Sequence, residues 1–526
     1  MPAQKYVDKY TLKTLSMEPI GIPPNNSQQH LMRDCDTMDV VPNLNPIKDR
    51  SSENQGVTPR QWLTVAILCF VNLINYMDRY TIAGILKEIS DYYRIGDDKA
   101  GLLQTAFVLS YMLFAPVFGY LGDRYSRRYI MAFGVFLWSL TTLLGSFMTE
   151  YHWFLAFRTL VGIGEASYST IAPTIISDLF ADDTRSKMLS LFYFAIPVGS
   201  GLGYIVGSET SRMANAWQWG LRVTPVLGAV AVLLIFFLLV DPPRGESDGN
   251  TAMESTTWKE DIKALLKNKS FMLSTGGFTC VAFVTGALAW WGPRFIDYGQ
   301  QIQAGTSNKD VNSSVSFKFG VIAMISGLIG VPLGSYLATR LRATNPKIDP
   351  LLCAIGLFLS TPFIFMALIF ARTNTIAVYI LIFIGEIALN LNWAIVADML
   401  LYVVTPNRRS TAEAFQILVS HALGDAGSPY LVGVISEALK HKYAPGSPDV
   451  AVPIEVEYKS LQDGLFSTCF VEVLGGVFFL LTSFYIVKDR AAADTEISGS
   501  DSTVAPTHMF ADDPQLNCSE ANLTTA

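Results

Sequence analysis

Stretches of about 20 mainly apolar residues recur along most of this chain, and they constrain its fold more than any other feature. Each stretch is long enough to cross the hydrocarbon core of a bilayer as a helix. Charged residues make up only 16% of the 526 residues, against about 25% in ordinary soluble domains. The sequence therefore predicts a polytopic membrane protein.

Apolar windows interrupted by charged residues predict twelve membrane-spanning helices. The predicted spans are 62–86, 101–121, 129–149, 152–178, 187–208, 221–240, 271–297, 317–338, 350–371, 376–404, 410–439 and 463–487. They fall as six and six around a polar stretch, whose lysine-rich second half predicts a short amphipathic helix on the membrane surface. The predicted fold class is an all-α membrane protein with twelve transmembrane helices in two six-helix pseudo-repeats.

The same pattern divides the chain into five segments. Six-helix bundles over 59–240 and 271–488 are joined by a linker over 241–270. Residues 1–58 and 489–526 are polar and lack helical periodicity, which predicts disordered tails. Basic residues concentrate in the short loops on one side of the predicted bundle, so the positive-inside rule places those loops, the linker and both tails in the cytosol.

Composition also excludes several functional classes. The net charge is −7 and no dense Lys/Arg stripe is present, so nucleic-acid binding is not expected. The six cysteines are scattered, with no Cys-x-x-Cys pair, and they predict neither a metal site nor a disulfide framework. The sequence has no Gly-x-Ser-x-Gly elbow and no His-Glu-x-x-His motif. An intramembrane enzyme is therefore not expected, and a lipid-binding receptor that moves nothing is a weaker alternative.

An internal repeat relates the two halves. Glu165, preceded by glycine in the fourth span, is matched by Glu386, also preceded by glycine, in the tenth. Asp178 near the end of the fourth span is matched by Asp398 at the corresponding end of the tenth. Repeated bundles in transporters place the substrate site where the halves meet. The repeat predicts a central cavity and alternating access by rocking of the halves.

The first span carries an adjacent acid and base. An ionisable residue inside a span costs at least about 2.5–3.5 kcal/mol, so it needs a partner or a purpose. Asp78 and Arg79 continue a polar stripe formed by Asn72 and Asn75 on an otherwise apolar helix. Either the pair marks the membrane interface near the helix end, or Asp78 faces a cavity. The second interpretation predicts proton coupling at Asp78, with Arg79 binding substrate.

The fourth span carries a second acid and base on one helix face. Arg158 and Glu165 are seven residues apart, and Tyr168 lies one turn beyond Glu165. This spacing predicts a site in which Arg158 binds an anionic headgroup, Glu165 accepts a proton and Tyr168 contacts the substrate. The alternative is an interhelical network that buries Arg158 for structural reasons alone.

The second half offers further candidates. Glu386 and Asn390 on the tenth span are predicted to bind substrate. His421 on the eleventh is predicted to relay protons, although lone intramembrane histidines also serve as hydrogen-bond partners between helices. An amphiphilic substrate needs an apolar wall as well as a polar pocket, and Tyr193 and Trp290 are candidates for it.

The loop after the second span is rich in charge. Together with acids at the ends of the fourth and tenth spans, it predicts a cytosolic gate that locks the two halves in one state and opens in the other. The predicted gate residues are Asp123, Arg124, Arg127, Arg128, Asp178 and Asp398.

This loop, GYLGDRYSRR at 119–128, resembles the loop signature of the major facilitator superfamily, with Ser126 in place of a usual glycine. Four longer strings resemble the Spinster family of lipid transporters. They are NYMDRY at 75–80, GIGEASYSTIAP at 162–173, FYFAIPVGSGLGY at 192–204 and SHALGDAGSPY at 420–430. The similarity extends over about residues 60–490.

The resemblance implies a proton-coupled, alternating-access transporter that exports lysophosphatidylcholine and lysophosphatidylethanolamine from the lysosome or late endosome to the cytosol. The segment 409–415 resembles the lysosomal lysophospholipid branch. The alternatives are export of sphingosine 1-phosphate or another sphingolipid at the plasma membrane, and transport of a small water-soluble anion. The resemblance also implies a monomer without cofactors, in which the equivalents of Asp78, Arg79, Arg158, Glu165 and His421 couple protons and bind the headgroup.

Overall fold

A computed structural model of the chain describes residues 58–180, 182–242, 258–305, 309–405, 408–444 and 452–503. Over these ranges the regular secondary structure is helical. The predicted N-terminal tail, apart from Thr58, lies outside the described residues, as do 243–257 of the linker and the chain after Thr503.

Sixteen helices are present in the described part of the chain. The first seven are α1 (Pro59–Gly84), α2 (Leu86–Tyr93), α3 (Asp97–Arg124), α4 (Arg127–Gly145), α5 (Tyr151–Leu179), α6 (Asp182–Ala214) and α7 (Gln218–Leu238). The linker contributes α8 (Trp258–Lys267). The remainder are α9 (Lys269–Ala304), α10 (Lys309–Arg342), α11 (Ile348–Phe370), α12 (Thr375–Asn390), α13 (Asn392–Val403), α14 (Arg409–Ser420), α15 (Gly427–Tyr443) and α16 (Ile454–Thr503).

These helices form twelve spans in the predicted order. The tenth span is interrupted at Leu391 between α12 and α13, and the eleventh contains a π-helical turn, His421–Asp425, between α14 and α15. Among the described residues, nine helices are long and apolar enough to cross a membrane. The spans outside that set are the first, fourth and eleventh, which carry Asp78 and Arg79, Arg158 and Glu165, and His421 respectively.

The two halves meet along two seams, where α6 packs against α10 and α3 packs against α15. Glycines allow close backbone contact at both. A methyl group added at Gly201 would lie 2.5 Å from the carbonyl oxygen of Gly320, and one added at Gly101 would overlap the carbonyl of Pro429. Small residues serve this role in membrane helix packing. Aromatic packing adds to the first seam, where the ring of Tyr204 on α6 meets that of Phe319 on α10 at 5.2 Å.

Within the N-terminal half, α4 and α5 also approach through glycine. A methyl group added at Gly134 would overlap the hydroxyl of Ser167. We expect Gly134→Leu to lower the stability of the protein by about 1–3 kcal/mol, because the core there has no space for a side chain. Thermal unfolding in detergent measures the loss. Gly119→Leu is the matched control, since a methyl group at Gly119 meets nothing within 4 Å. Equal shifts for both variants would contradict the explanation.

The last helix is longer than its predicted span. Residues 489–503, which the sequence predicts to be disordered, continue α16. Asp489 accepts hydrogen bonds from the backbone and hydroxyl of Ser270 at the start of α9. Glu496 pairs with Arg408 at 2.9 Å, and Arg408 also contacts Asp261 of α8 at 3.3 Å. The prediction is wrong for this segment because contacts with neighbouring helices compensate for its polarity.

Candidate functional site

Four ionisable side chains of α1 and α5 meet inside the N-terminal half and pair crosswise between the two helices. Nη2 of Arg79 lies 2.9 Å from Oε2 of Glu165, and Nη1 of Arg158 lies 4.0 Å from Oδ2 of Asp78. The exposed fractions of the side chains are 0% for Glu165, 1% for Asp78, 3% for Arg158 and 11% for Arg79. The sequence analysis grouped them only along each helix, Asp78 with Arg79 and Arg158 with Glu165, and did not pair them across helices. We call them the ion-pair cluster.

Two hydroxyl groups complete the environment of Asp78. Thr142 of α4 donates to Oδ2 at 3.2 Å, and Thr224 of α7 donates to Oδ1. The two threonines lie on apolar helices, where a single hydroxyl gives little sequence signal, and the sequence analysis missed them. A small cavity adjoins Asp78, Thr142 and Arg158.

The cluster retains unused hydrogen-bonding capacity. Oε1 of Glu165 and the Nε atoms of Arg79 and Arg158 are buried and lack hydrogen-bond partners among the described residues. The same holds for both amide atoms of Asn75, which lies one turn before Arg79. Buried polar groups are normally paired. These atoms are therefore available to a proton, a water molecule or a substrate headgroup.

Aromatic rings surround the exposed side of the cluster. The guanidinium of Arg79 lies 4.9 Å from the ring centre of Tyr76, 5.1 Å from that of Phe107 and 5.4 Å from that of Tyr111. The ring of Tyr111 also lies 6.5 Å from the ring of His421 in the other half. Tyr111 thus connects the cluster to the π-helical turn across the interface between the halves.

His421 has a carboxylate partner, Asp425, which lies four residues later in the sequence. Its Nδ1 lies 2.7 Å from Oδ1 of Asp425, and the side chains are 27% and 21% exposed. Both belong to the π-helical turn, a feature that is often found at functional sites. The predicted proton relay at His421 stays a prediction, with Asp425 as the group that orients the imidazole.

The three aromatic residues predicted to contact substrate, Tyr168, Trp290 and Tyr193, differ in exposure. The hydroxyl of Tyr168 donates to the backbone carbonyl of Leu68, and the side chain is fully buried in the core. Trp290 is only 2% exposed and packs in a hydrophobic cluster. Tyr193 is 48% exposed. Of the three, Tyr193 alone is exposed in this conformation, because surrounding helices cover Tyr168 and Trp290.

The predicted contacts on the tenth span lie apart from the ion-pair cluster. Glu386 accepts a hydrogen bond from Ser326 of α10 at 2.7 Å and lines an otherwise apolar cavity inside the C-terminal half. Asn390 packs against α10 at Gly330. Their predicted role in substrate binding stays a prediction for a site centred on this half.

The end of the bundle that carries Arg127, Arg342 and Arg408 is called the basic face. Here Arg127 pairs with Asp178, and Arg342 pairs with Asp398 at 3.2 Å. Each pair lies within one half, so the predicted lock between the halves is not formed at these residues in this conformation. The gate stays a prediction for the conformation closed at this face.

The other predicted gate arginines make local contacts. The guanidinium of Arg124 lies 4.3 Å from the ring centre of Tyr120, and that of Arg128 lies 5.1 Å from that of Tyr129. The side chain of Asp123 is outside the described part of the chain. These positions leave Arg124 and Arg128 on the basic face.

The other end, the opposite face, is where charged side chains join the two halves. Asp97 of α3 pairs with Arg294 of α9 at 3.1 Å and with Lys440 of α15 at 2.7 Å. Lys87 of α2 pairs with Asp297 of α9 at 3.0 Å. We call these five residues the opposite-face lock. These three ion pairs join the two halves, so the structure is closed at this face.

The sequence analysis missed the opposite-face lock although part of the signal was available. Arg294 and Asp297 lie inside the predicted span 271–297, where each charge required an explanation. Asp97 is fully buried and also accepts a hydrogen bond from Ser436 at 2.7 Å. Lys87 is a basic residue on the face opposite the basic loops, which the positive-inside rule does not predict. Its pairing with Asp297 accounts for its position.

Comparisons with known proteins agree with this architecture. The family model of the Major Facilitator Superfamily matches residues 68–429. The chain is 54% identical to protein spinster of Drosophila melanogaster, over 90% of this chain and 88% of that protein. It is 52% identical to protein spinster homolog 1 of Homo sapiens, over 84% and 85% of the two chains.

Among solved structures, the chain is similar to a bacterial homolog of the human lysosomal transporter Spinster, in an inward-facing and unoccupied conformation. The TM-score is 0.73, with 21% identity over 83% of this chain and 99% of the bacterial one. A D-xylose-proton symporter gives a TM-score of 0.57 at 16% identity, over 80% of this chain and 97% of the symporter. These two similarities support the twelve-helix fold.

Proposed function

The chain belongs to the Spinster family of the major facilitator superfamily and is an integral multi-pass membrane transporter, and we propose that it exports lysophospholipids in a proton-coupled, alternating-access cycle. The observation that carries this proposal is the ion-pair cluster. Two carboxylates and two guanidinium groups lie almost fully buried inside lipid-embedded helices. Such groups mark substrate and proton pathways in membrane proteins.

The charge balance of the cluster supports coupling to protons. Asp78 and Glu165 offset the charges of Arg79 and Arg158, so the ionised cluster has no net charge. Binding of one proton to a carboxylate leaves the cluster with one excess positive charge. A buried unpaired charge is strongly unfavourable. Protonation therefore favours arrival of an anionic group, which is the linkage that a symporter requires.

Arg79 is the group best placed to receive that anion. Its side chain is 11% exposed, whereas the other three members of the cluster are exposed by 3% or less. A proton on Glu165 weakens its contact with Arg79 and frees the guanidinium. Guanidinium groups bind phosphate oxygens through two parallel hydrogen bonds. The phosphate of a lysophospholipid fits this chemistry.

The apolar part of the substrate has a matching surface. Tyr193 and Phe194 of α6 are each about half exposed, and Tyr111 lies beside Arg79. A ligand with one charged end and one long apolar chain contacts both kinds of surface at once. A small water-soluble anion would leave the aromatic surface uncovered. The arrangement therefore favours an amphiphile.

The two ends of the bundle suggest the direction of transport. Basic residues of the short loops place the basic face in the cytosol under the positive-inside rule. The opposite face would then meet the lumen of a lysosome or late endosome, and the human Spinster transporter is described as lysosomal. Protons moving from an acidic lumen to the cytosol would carry the lysophospholipid with them. The transporter is proposed to act as a monomer.

The test is flux of labelled lysophosphatidylcholine in proteoliposomes, with and without a pH gradient that is acidic on the opposite-face side. We expect faster flux with the gradient and net accumulation of the lipid on the basic-face side. Sphingosine 1-phosphate and a water-soluble organic anion are measured in parallel. Selective flux of sphingosine 1-phosphate would transfer the proposal to sphingolipid export. Movement of the water-soluble anion alone, in a folded preparation, would reject a lipid substrate.

A further inference from the structure

A carboxylate without a charged partner lies inside the C-terminal half, apart from every contact described above. Glu472 of α16 is fully buried, and no basic side chain pairs with it among the described residues. The hydroxyl of Ser360 on α11, also fully buried, is a neutral group that faces its carboxylate. The hydroxyl of Thr361 faces the same carboxylate while donating to the carbonyl of Leu357 at 2.8 Å.

No positive charge compensates Glu472. In the described part of the chain, no basic side chain pairs with it, and its neighbours on α11 are the two hydroxyls. The titratable groups nearby are thiols. Cys469 lies on α16 itself, and Cys280 of α9 contacts α16 at Gly475. A bare carboxylate in such surroundings costs several kcal/mol. A carboxylic acid is neutral and removes that cost.

We infer that Glu472 is a proton-binding site of the C-terminal half, separate from the ion-pair cluster. Protonation removes the negative charge of Glu472 and gives it an O–H group. That O–H can donate a hydrogen bond to the hydroxyl oxygen of Ser360. The proton comes from water as the O–H bond of Glu472 forms, and it returns to water when that bond breaks.

A small, mainly apolar cavity lies near the site, between α9, α10, α11, α12 and α16. Its wall includes Ile364, one turn from Ser360 on α11, and Leu465, two turns from Glu472 on α16. A small separation of α11 from α16 would join this space to the acid. Such a separation needs the conformational cycle, so the inference rests on the alternating-access part of the proposed function.

The first test measures protonation directly and requires no substrate. Infrared spectra of the full-length protein in liposomes at neutral pH report the absorption of protonated carboxyl groups. We expect Glu472→Gln to remove one such band. Glu455→Gln, at an exposed acid on the same helix, is the matched control and should leave the bands unchanged. If Glu472→Gln fails to fold, Ser360→Ala should shift the frequency of the same band. An unchanged spectrum in a folded variant would overturn the inference.

The ionic composition of the buffer separates a proton from a small cation. Spectra are recorded in sodium chloride and in choline chloride. We expect the band of Glu472 in both. A band that appears only when choline replaces sodium would assign the site to a sodium ion and overturn the assignment to a proton.

The second test measures coupling. At zero membrane potential, each proton that moves with the lipid raises its equilibrium concentration ratio about tenfold per pH unit. We expect Glu472→Gln to lower gradient-driven accumulation of lysophosphatidylcholine about tenfold per pH unit, and Glu455→Gln to leave it unchanged. Equal accumulation by the native protein and Glu472→Gln would show that the acid does not exchange its proton during transport. If the native protein accumulates no lipid, the proposed function fails, and the infrared result still decides whether Glu472 binds a proton.

Discussion

Replacement of Glu165 by glutamine is expected to uncouple lipid movement from the proton gradient. Glutamine resembles the protonated glutamate in size and lacks its charge. The guanidinium of Arg79, which lies 2.9 Å from Oε2 of Glu165 in the native protein, would be free in every conformation. Lipid would then exchange downhill without a requirement for a proton.

The expected size of the effect follows from the gradient. With two pH units across the membrane, each coupled proton raises the accumulation ratio of the lipid roughly 100-fold. We therefore expect Glu165→Gln to lower accumulation by roughly that factor and to keep downhill exchange at a rate similar to that of the native protein. Accumulation and exchange are both measured with labelled lysophosphatidylcholine in proteoliposomes.

A matched control is available at the N-terminal end of the same helix. Glu150 is the residue just before α5 and is exposed, so Glu150→Gln makes the same chemical change without altering the ion-pair cluster. It should behave as the native protein does. Native accumulation by Glu165→Gln would remove Glu165 from the coupling mechanism. Loss of downhill exchange as well as accumulation would assign it a structural role instead.

Substitution of Asp97 by asparagine is expected to open the opposite face. Asp97 pairs with Arg294 and Lys440, and removal of its charge leaves these buried cations with Glu457, 3.9 and 3.3 Å away, as their remaining shared acid. Breaking a buried ion pair costs about 3–5 kcal/mol when the charge left behind has no other partner, so with Glu457 in place we expect a cost near the lower end, about 3 kcal/mol. The cost falls on the conformation closed at the opposite face, because the lock joins the two halves there. We expect the equilibrium to shift roughly 100-fold toward the conformation open at this face.

The distance between the halves at the opposite face reports this shift. Spin labels at Arg94 on the N-terminal half and Lys442 on the C-terminal half, both exposed, are suitable positions. The Asp97→Asn variant should show a longer distance population that the native protein lacks. Asp463→Asn is the control, since Asp463 pairs with Lys459, which is 52% exposed, and its loss should cost little. Identical distance distributions for Asp97→Asn and the control would show that the lock does not hold the halves together.

The fold was largely predictable because membrane burial leaves a simple record in the sequence. Every predicted span overlaps a helix, and several boundaries agree within a few residues, as for 152–178 and Tyr151–Leu179. The largest difference lies at α16, which continues to Thr503. Its polar continuation is held by contacts of Asp489 and Glu496 with other helices. Local hydropathy does not encode such contacts.

The sequence identified the four residues of the ion-pair cluster, but it did not show which arginine contacts which acid. Spacing along one helix identified Asp78 and Arg79 on the first span and Arg158 and Glu165 on the fourth. It could not show that each arginine contacts the acid of the other helix, because pairing depends on the rotation and depth of both helices. Helix spacing also places Tyr168 on the face of Glu165, yet its hydroxyl bonds to a backbone carbonyl in the core.

The crossed pairing of α1 with α5 also bears on how the protein is made. Asp78 and Arg79 are adjacent in sequence, and Arg158 and Glu165 share a helix, so each helix carries one acid and one base. Each can thus enter the membrane without net charge in this region, which reduces the barrier to insertion from the ribosome-bound translocation machinery. The contacts of each arginine with the acid of the other helix can form only after both helices are in the bilayer. Formation of the ion-pair cluster is therefore part of the assembly of the N-terminal half.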